Sequence, residues 1–219
     1  MTLQRVGIVG GTGKLGRGIG ARLAIAGVSV ALVSRDAARG SAAAAELADT
    51  CGGEVTGGDA GVLDDVDAVI LAVPFDGLQA NLEAIAGHVE DRIVVSAVNP
   101  MAFDDIGPYP VTVPEGSAAA LVADRLAGAR VVSAFHSVAS RTLGELERPM
   151  DDDVPVFGDI DEDVAAVVGL IDRIDGCRGV AAGPLRLSHV AESLTPVLIS
   201  VNRRYRAHVG FAFTRLSTD

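Results

Sequence analysis

A chain of 219 residues that is 49% hydrophobic has room for one domain and an appendage, and its core must be aliphatic because aromatics are 4% and Trp is absent. A net charge of −11, with 17 Arg and the single Lys14, opposes non-specific contact with nucleic acid or anionic lipid and requires a local positive cluster for any anionic ligand. A start without a leader, no apolar run near the ~18–20 residues of a membrane span, and two cysteines (Cys51 and Cys177) without CxxC spacing predict a cytoplasmic protein with no disulfide framework and no metal site.

The elements follow in chain order. Val6 to Val9 is a short β-branched run ending at glycines, which predicts a buried parallel strand. Leu15, Ile19, Leu23 and Ala26 have helical spacing, and Gly27 stops that helix. Val28–Val33 reads as a second strand and the Ala-rich 37–50 segment as a helix, followed by a turn-rich stretch over 52–61. Strands are predicted at 67–73 and 92–98, with a helix over 77–88 between them. Residues 101–114, rich in Pro, Gly and Asp, read as an irregular crossover, and Ser117 as the N-cap of a helix to Ala127. Strands at 130–135 and 154–157, a helix at 164–174 and a long helix over 187–206 containing Pro196 complete the chain.

This alternation predicts an α/β fold, a Rossmann-like doubly wound and mostly parallel sheet with a small C-terminal helical extension. Gly183-Pro184 is the expected boundary between residues 1–183, which would bind the dinucleotide, and residues 184–219. The acidic runs 151–153 and 159–163 lack the oxygen spacing of a calcium loop and read as solvated loops, one acid lying near a helix N-terminus.

Gly11-Thr12-Gly13-Lys14-Leu15-Gly16 fits G-x-G-x-x-G and lies between a predicted strand and a predicted helix. Gly11 would permit the tight turn, Gly13 the approach of a pyrophosphate and Gly16 close packing of helix on strand. The N–H groups at the helix start then face the phosphates. The second strand ends in Ser34-Arg35, where NAD-binding versions carry an acid for the ribose 2′-OH. A guanidinium there predicts NADP(H), with Arg39 as a second anchor; Asp36 would oppose this only if the strand end were shifted.

The glycine loop, Ser34-Arg35, Leu71-Ala72-Val73-Pro74-Phe75, Val131 to His136, Val154 to Asp159, Ala182 to Leu185 and Val190 to Pro196 together resemble the family of NADPH-dependent reductases of the deazaflavin coenzyme F420. The resemblance runs over nearly the whole chain. It implies reversible hydride exchange between NADP(H) and F420 by a homodimer. Thr12 to Leu15, Ser34, Arg35 and Arg39 would hold the dinucleotide. Pro74, Phe75, Asn99 to Met101 and Ser140 would line its nicotinamide end. His136, Val138 and Thr195 would lie towards the deazaflavin.

Such a reaction needs no nucleophile or metal, only two rings held in near-attack geometry with water excluded. His136 is the candidate donor to a deazaflavin carbonyl. Arg203, Arg204 and Arg206 would serve either the coenzyme's anionic tail or the dimer. The dinucleotide half by itself also fits a reductase of a flavin or a ferric chelate, or a non-enzymatic NADP(H)-binding sensor.

Overall fold

The computed structural model describes residues 1–216. Ten strands and seven α-helices alternate: β1 (Arg5–Val9), α1 (Lys14–Ile25), β2 (Ser29–Val33), α2 (Ala37–Cys51), β3 (Val55–Gly58), β4 (Ala68–Leu71), α3 (Leu78–Ile85) and β5 (Ile93–Ser96). There follow β6 (Met101–Phe103), β7 (Pro108–Pro110), α4 (Ala118–Arg125), β8 (Arg130–Ser133), α5 (Ser140–Gly144), β9 (Asp152–Gly158), α6 (Asp161–Ile171), β10 (Cys177–Gly183) and α7 (Ser188–Tyr205). Eight strands form one sheet in the order β10-β9-β8-β5-β4-β1-β2-β3. Every pairing in it is parallel except β8 with β9. The expected mostly parallel Rossmann-like sheet is present.

Both faces of the central strands are buried, which is why they read as unbroken apolar runs. Successive side chains point to opposite faces. Ile8, Leu32, Ile70 and Val95 join one core with residues of α1, α2 and α6. Val9, Val33, Val69 and Val94 join a second core with residues of α3 and α4. Chain order reverses between β1 and β4, so a crevice opens beyond their carboxyl ends, where such sheets bind ligands.

Five features depart from the expectations. The turn-rich 52–61 stretch contains the edge strand β3, and the crossover at 101–114 contains the antiparallel hairpin β6-β7. Neither α5 nor β10 was expected; α5 is only 5 residues long, and β10 is a half-exposed strand of small residues. The acidic runs are only partly solvated. Asp152, Asp153 and Asp163 are buried, the last paired with Arg130 at 2.8 Å.

Asp153 and Arg178 form two contacts of 2.6 Å, and the arginine holds that carboxyl below its usual range. The backbone N–H groups of Phe211 and Phe213 donate to Asp152 and Asp153. The carbonyl of Phe213 accepts from Arg178. These buried acids therefore tether the segment after α7.

Candidate functional site: two cavities near the glycine loop

The glycine loop leads from β1 into α1, as its spacing predicts. The positive φ falls at Gly10 (+84°), however, and not at Gly11, which was expected to make the turn. A Cβ on Gly10 would lie 2.4 Å from the carbonyl oxygen of Ala72, just past β4, so the loop can pack there only as glycine. Gly16 was expected to let the helix pack on the strand; a Cβ there would stand 2.6 Å from the Gly10 oxygen, so the close approach it permits is of α1 on the loop itself. Gly13 is exposed and forms the N-cap of α1 with no side-chain partner. The first N–H groups of α1 are thus free to meet an anion.

Beyond β2 a cavity of about 230 Å³ is walled by Val9, Val33, Ala84 and Ile85, with Ser34 and Arg35 at its rim. Arg35 is exposed. The nearby acids are directed elsewhere. Asp36 caps α2, accepting from the N–H of Arg39 at 3.0 Å. Asp59, the one acid among the described residues that line the cavity, accepts from the N–H of Gly61 at 3.1 Å. A phosphorylated ribose would therefore meet a guanidinium and two acids already engaged. Arg39 is exposed on the first turn of α2 and does not line the cavity.

A second cavity of about 300 Å³ joins Leu15 from α1, Asn99 and Met101 after β5, His136 and Val138 after β8, Ser140 of α5, and Thr195 of α7. Those residues lie far apart in sequence; all but Leu15, which was expected in the dinucleotide-holding loop, were expected at the reacting end. Asn202, His208 and Val209 also line the cavity and were not anticipated. They come from the end of α7 and from the tethered tail, whose return no local pattern signals. The N–H of Val209 donates to Asn202 Oδ1 at 2.7 Å and fixes that return. Among the described residues, no carboxylate lines this cavity.

Pro74 and Phe75 lie outside both cavities; they open the short turn before α3. Thr12 is half-buried in the loop and also lines neither cavity. Lys14, with Arg17 and Arg141, lines a third, open groove that meets the second cavity at Ser140 and Arg141. Arg203, Arg204 and Arg206 are exposed and line neither cavity. Arg203 lies 5.4 Å over the ring of Phe103.

The wall after β8 is built under strain. Phe135 is fully buried at φ +67°, a conformation costing a bulky residue on the order of 1–2 kcal/mol. The turn directs the His136 ring back towards the strand end. Its Nε2 lies 2.6 Å from Ser133 Oγ and its Nδ1 lies 3.0 Å from Asn99 Oδ1. Burial pulls the His136 pKa down to about 3, so the ring is neutral. Both ring nitrogens are engaged by side chains, and neither is left for the coenzyme carbonyl expected from the sequence.

Two further anchors set this wall. The Thr195 hydroxyl donates to the His136 carbonyl at 2.7 Å, tying α7 to the pocket. Buried Arg22 of α1 donates to four carbonyls between Thr142 and Arg148 at 2.9–3.0 Å, pinning the segment that carries α5. Arg22 stands three residues after Ile19 and four before Ala26, on the inward face of α1, and only its charge argues against an interior place.

A family model described as NADP oxidoreductase coenzyme F420-dependent matches residues 5–100. The F420-dependent NADP reductase of Methanothermobacter thermautotrophicus is 32% identical over 98% of this chain and 96% of its own. That of Methanocaldococcus jannaschii is 32% identical over 97% of this chain and 99% of its own. Among solved structures, a putative F420-dependent NADP reductase from Arthrobacter sp. FB24 superposes with a TM-score of 0.82 at 23% identity, covering 97% of this chain and 100% of that one.

Proposed function

The chain belongs to the family of coenzyme F420-dependent NADP oxidoreductases, and from that membership we propose the assignment of its parts. It is an oxidoreductase that passes a hydride between NADP(H) and the deazaflavin F420. The observation that supports this reading best is the ring pocket. It draws walls from α1, from the segments after β5 and β8, and from α7, and it lies beside the glycine loop. The bound coenzymes supply the hydride chemistry themselves; the protein binds, orients and excludes water.

The residues divide the work as follows. Gly11 to Gly16 and the start of α1 take the pyrophosphate, Ser34 and Arg35 take the 2′-phosphate, and Arg39 lies within reach of the same end. Leu15, Asn99, Met101 and Ser140 line the nicotinamide side, with Pro74 and Phe75 at the edge of the crevice. Val138 and Thr195 line the deazaflavin side, with His136 behind them. On this reading residues 1–183 form the dinucleotide-binding part. Residues 184–219 supply the deazaflavin wall and the dimer contact, and the protein is cytoplasmic.

The test is the bleaching of oxidised F420 by the purified protein. Rapid loss of deazaflavin absorbance is expected with NADPH and a rate lower by about tenfold or more with NADH, matching the loss of charge-assisted phosphate contacts. No bleaching with either dinucleotide overturns the assignment. Bleaching of a free flavin or reduction of a ferric chelate in its place would redirect it.

The oligomer is a homodimer through α7 and the β6-β7 hairpin. Val190, Val197 and Tyr205 form an exposed stripe along α7, with Phe103, Ile106 and Tyr109 exposed on the hairpin. An apolar face of this kind is what a self-complementary contact buries. Light scattering should give the mass of two chains, and Val197→Asp should reduce it to one without altering circular dichroism. A monomeric wild-type protein at micromolar concentration excludes this contact.

A further inference from the structure

Three polar side chains form a line that runs from the interior to the wall of the ring pocket. Ser133, at the end of β8, is fully buried, and His136 is 3% exposed. Asn99 is half-buried and lines the cavity. The separations along the line are 2.6 Å and 3.0 Å.

Hydrogen-bond chemistry sets the direction of this line. An amide oxygen only accepts, so His136 Nδ1 must carry the ring proton. The neutral ring then has a lone pair on Nε2, and the Ser133 hydroxyl donates to it. Burial disfavours a second ring proton. With Oδ1 held by His136, the NH2 group of Asn99, at the cavity wall, donates to no other group among the described residues. It is a free donor at the wall of a cavity to which the described residues contribute no carboxylate.

We propose that Ser133 is a positioning residue that, through His136, fixes the Asn99 carboxamide with its NH2 towards the ring pocket, as donor to a carbonyl oxygen of a reacting heterocycle. The inference rests on the hydride-transfer reading above. Both rings offer such an oxygen, one in the nicotinamide carboxamide and the other in the deazaflavin's pyrimidinedione. In this arrangement His136 orients the donor and Asn99 makes the contact. Without the Ser133 hydroxyl, Nε2 loses its donor, the proton is free to move to Nε2, and Asn99 is free to turn its oxygen inward. An inward oxygen would face the substrate carbonyl, acceptor against acceptor.

The experiment combines ¹⁵N spectroscopy of the histidine ring with kinetics of Ser133→Ala and Ser133→Thr. The wild type should show one His136 tautomer, protonated at Nδ1. Ser133→Ala should show a mixture of tautomers and a kcat lower by about tenfold, the scale of one lost polar contact. Ser133→Thr, which retains the hydroxyl, should restore both. An accompanying rise in the KM of NADPH assigns the carbonyl to the nicotinamide; a rise in that of F420 assigns it to the deazaflavin. A wild-type proton on Nε2, or wild-type turnover in Ser133→Ala, overturns the proposal. If the wild type exchanges no hydride, the functional reading fails and the donor role with it, while the tautomer still reports separately on the relay.

Discussion

Replacing Arg35 by Glu should raise the KM for NADPH about a hundredfold, equivalent to about 2.7 kcal/mol, while leaving the KM for NADH within about twofold. The size follows from what stands around the position. Ser34 and Arg35, which follow directly on β2, are the polar groups that this strand end brings to the rim of the cavity of about 230 Å³. The acids closest to it are committed, Asp36 to the N-terminus of α2 and Asp59 to the turn after β3. The phosphate therefore loses a bidentate partner and gains a like charge in one step. The reaction with NADH lacks the phosphate and has little to lose. Steady-state kinetics with both dinucleotides on both proteins measures the difference. Equal losses for the two would show that Arg35 supports the fold of the crevice and does not read the phosphate.

The same neighbourhood shows how far the residues could be read without coordinates. Strands buried on both faces are legible because burial selects β-branched runs, and β1, β2, β4 and β5 stand within a residue or two of their expected places. The edge strand β3 was taken for a turn because Val55–Gly58 is half glycine. Its glycines serve packing: a Cβ on Gly57 would sit 2.3 Å from the backbone oxygen of Gly40, so α2 can lie directly on the strand. The Asp151–Asp153 run looks solvated until its partners are known. Those partners, Arg178 and the N–H groups of Phe211 and Phe213, lie 25 to 60 residues away.

The site divides in the same way. Its dinucleotide half is legible because one loop and one strand end carry it. Its ring half was named from family likeness. That likeness located His136 but could not show that Ser133 and Asn99 engage both ring nitrogens, which depends on the positive φ of Phe135. The contributions of Asn202 and His208 depend on a tail folded back by long-range bonds.

Replacing Glu192 by Ala should lower stability by about 3 kcal/mol and the melting temperature by roughly 6–12 °C. Glu192 lies on α7 and is 2% exposed. Its two oxygens accept from the N–H groups of Ala118 and Ala119 at 2.8 and 3.1 Å, while Ser117 accepts from that of Ala120 at 2.9 Å. The first turn of α4 is thus capped partly by its own N-cap and partly by a helix more than 70 residues away. Burial raises the Glu192 pKa, and the two N–H groups oppose that rise. As the pH falls through the raised value, the folded state takes up this proton before the unfolded one, so acid relieves the burial cost of the charge.

Alanine leaves two buried donors without partners and removes a charge from a helix N-terminus. It also loosens α7, which reaches the ring pocket through the Thr195 bond to the His136 carbonyl and the Asn202 bond to Val209. The functional loss should therefore be selective, with the KM for F420 rising several-fold more than that for NADPH, because the glycine loop and Arg35 lie on elements that α7 does not cap. Glu192→Gln, which keeps one acceptor, should fall between wild type and Glu192→Ala in both measurements. Thermal unfolding and the two Michaelis constants decide the matter. A large fall in melting temperature with both constants shifted equally would show that α7 holds the whole sheet together rather than one wall of the pocket.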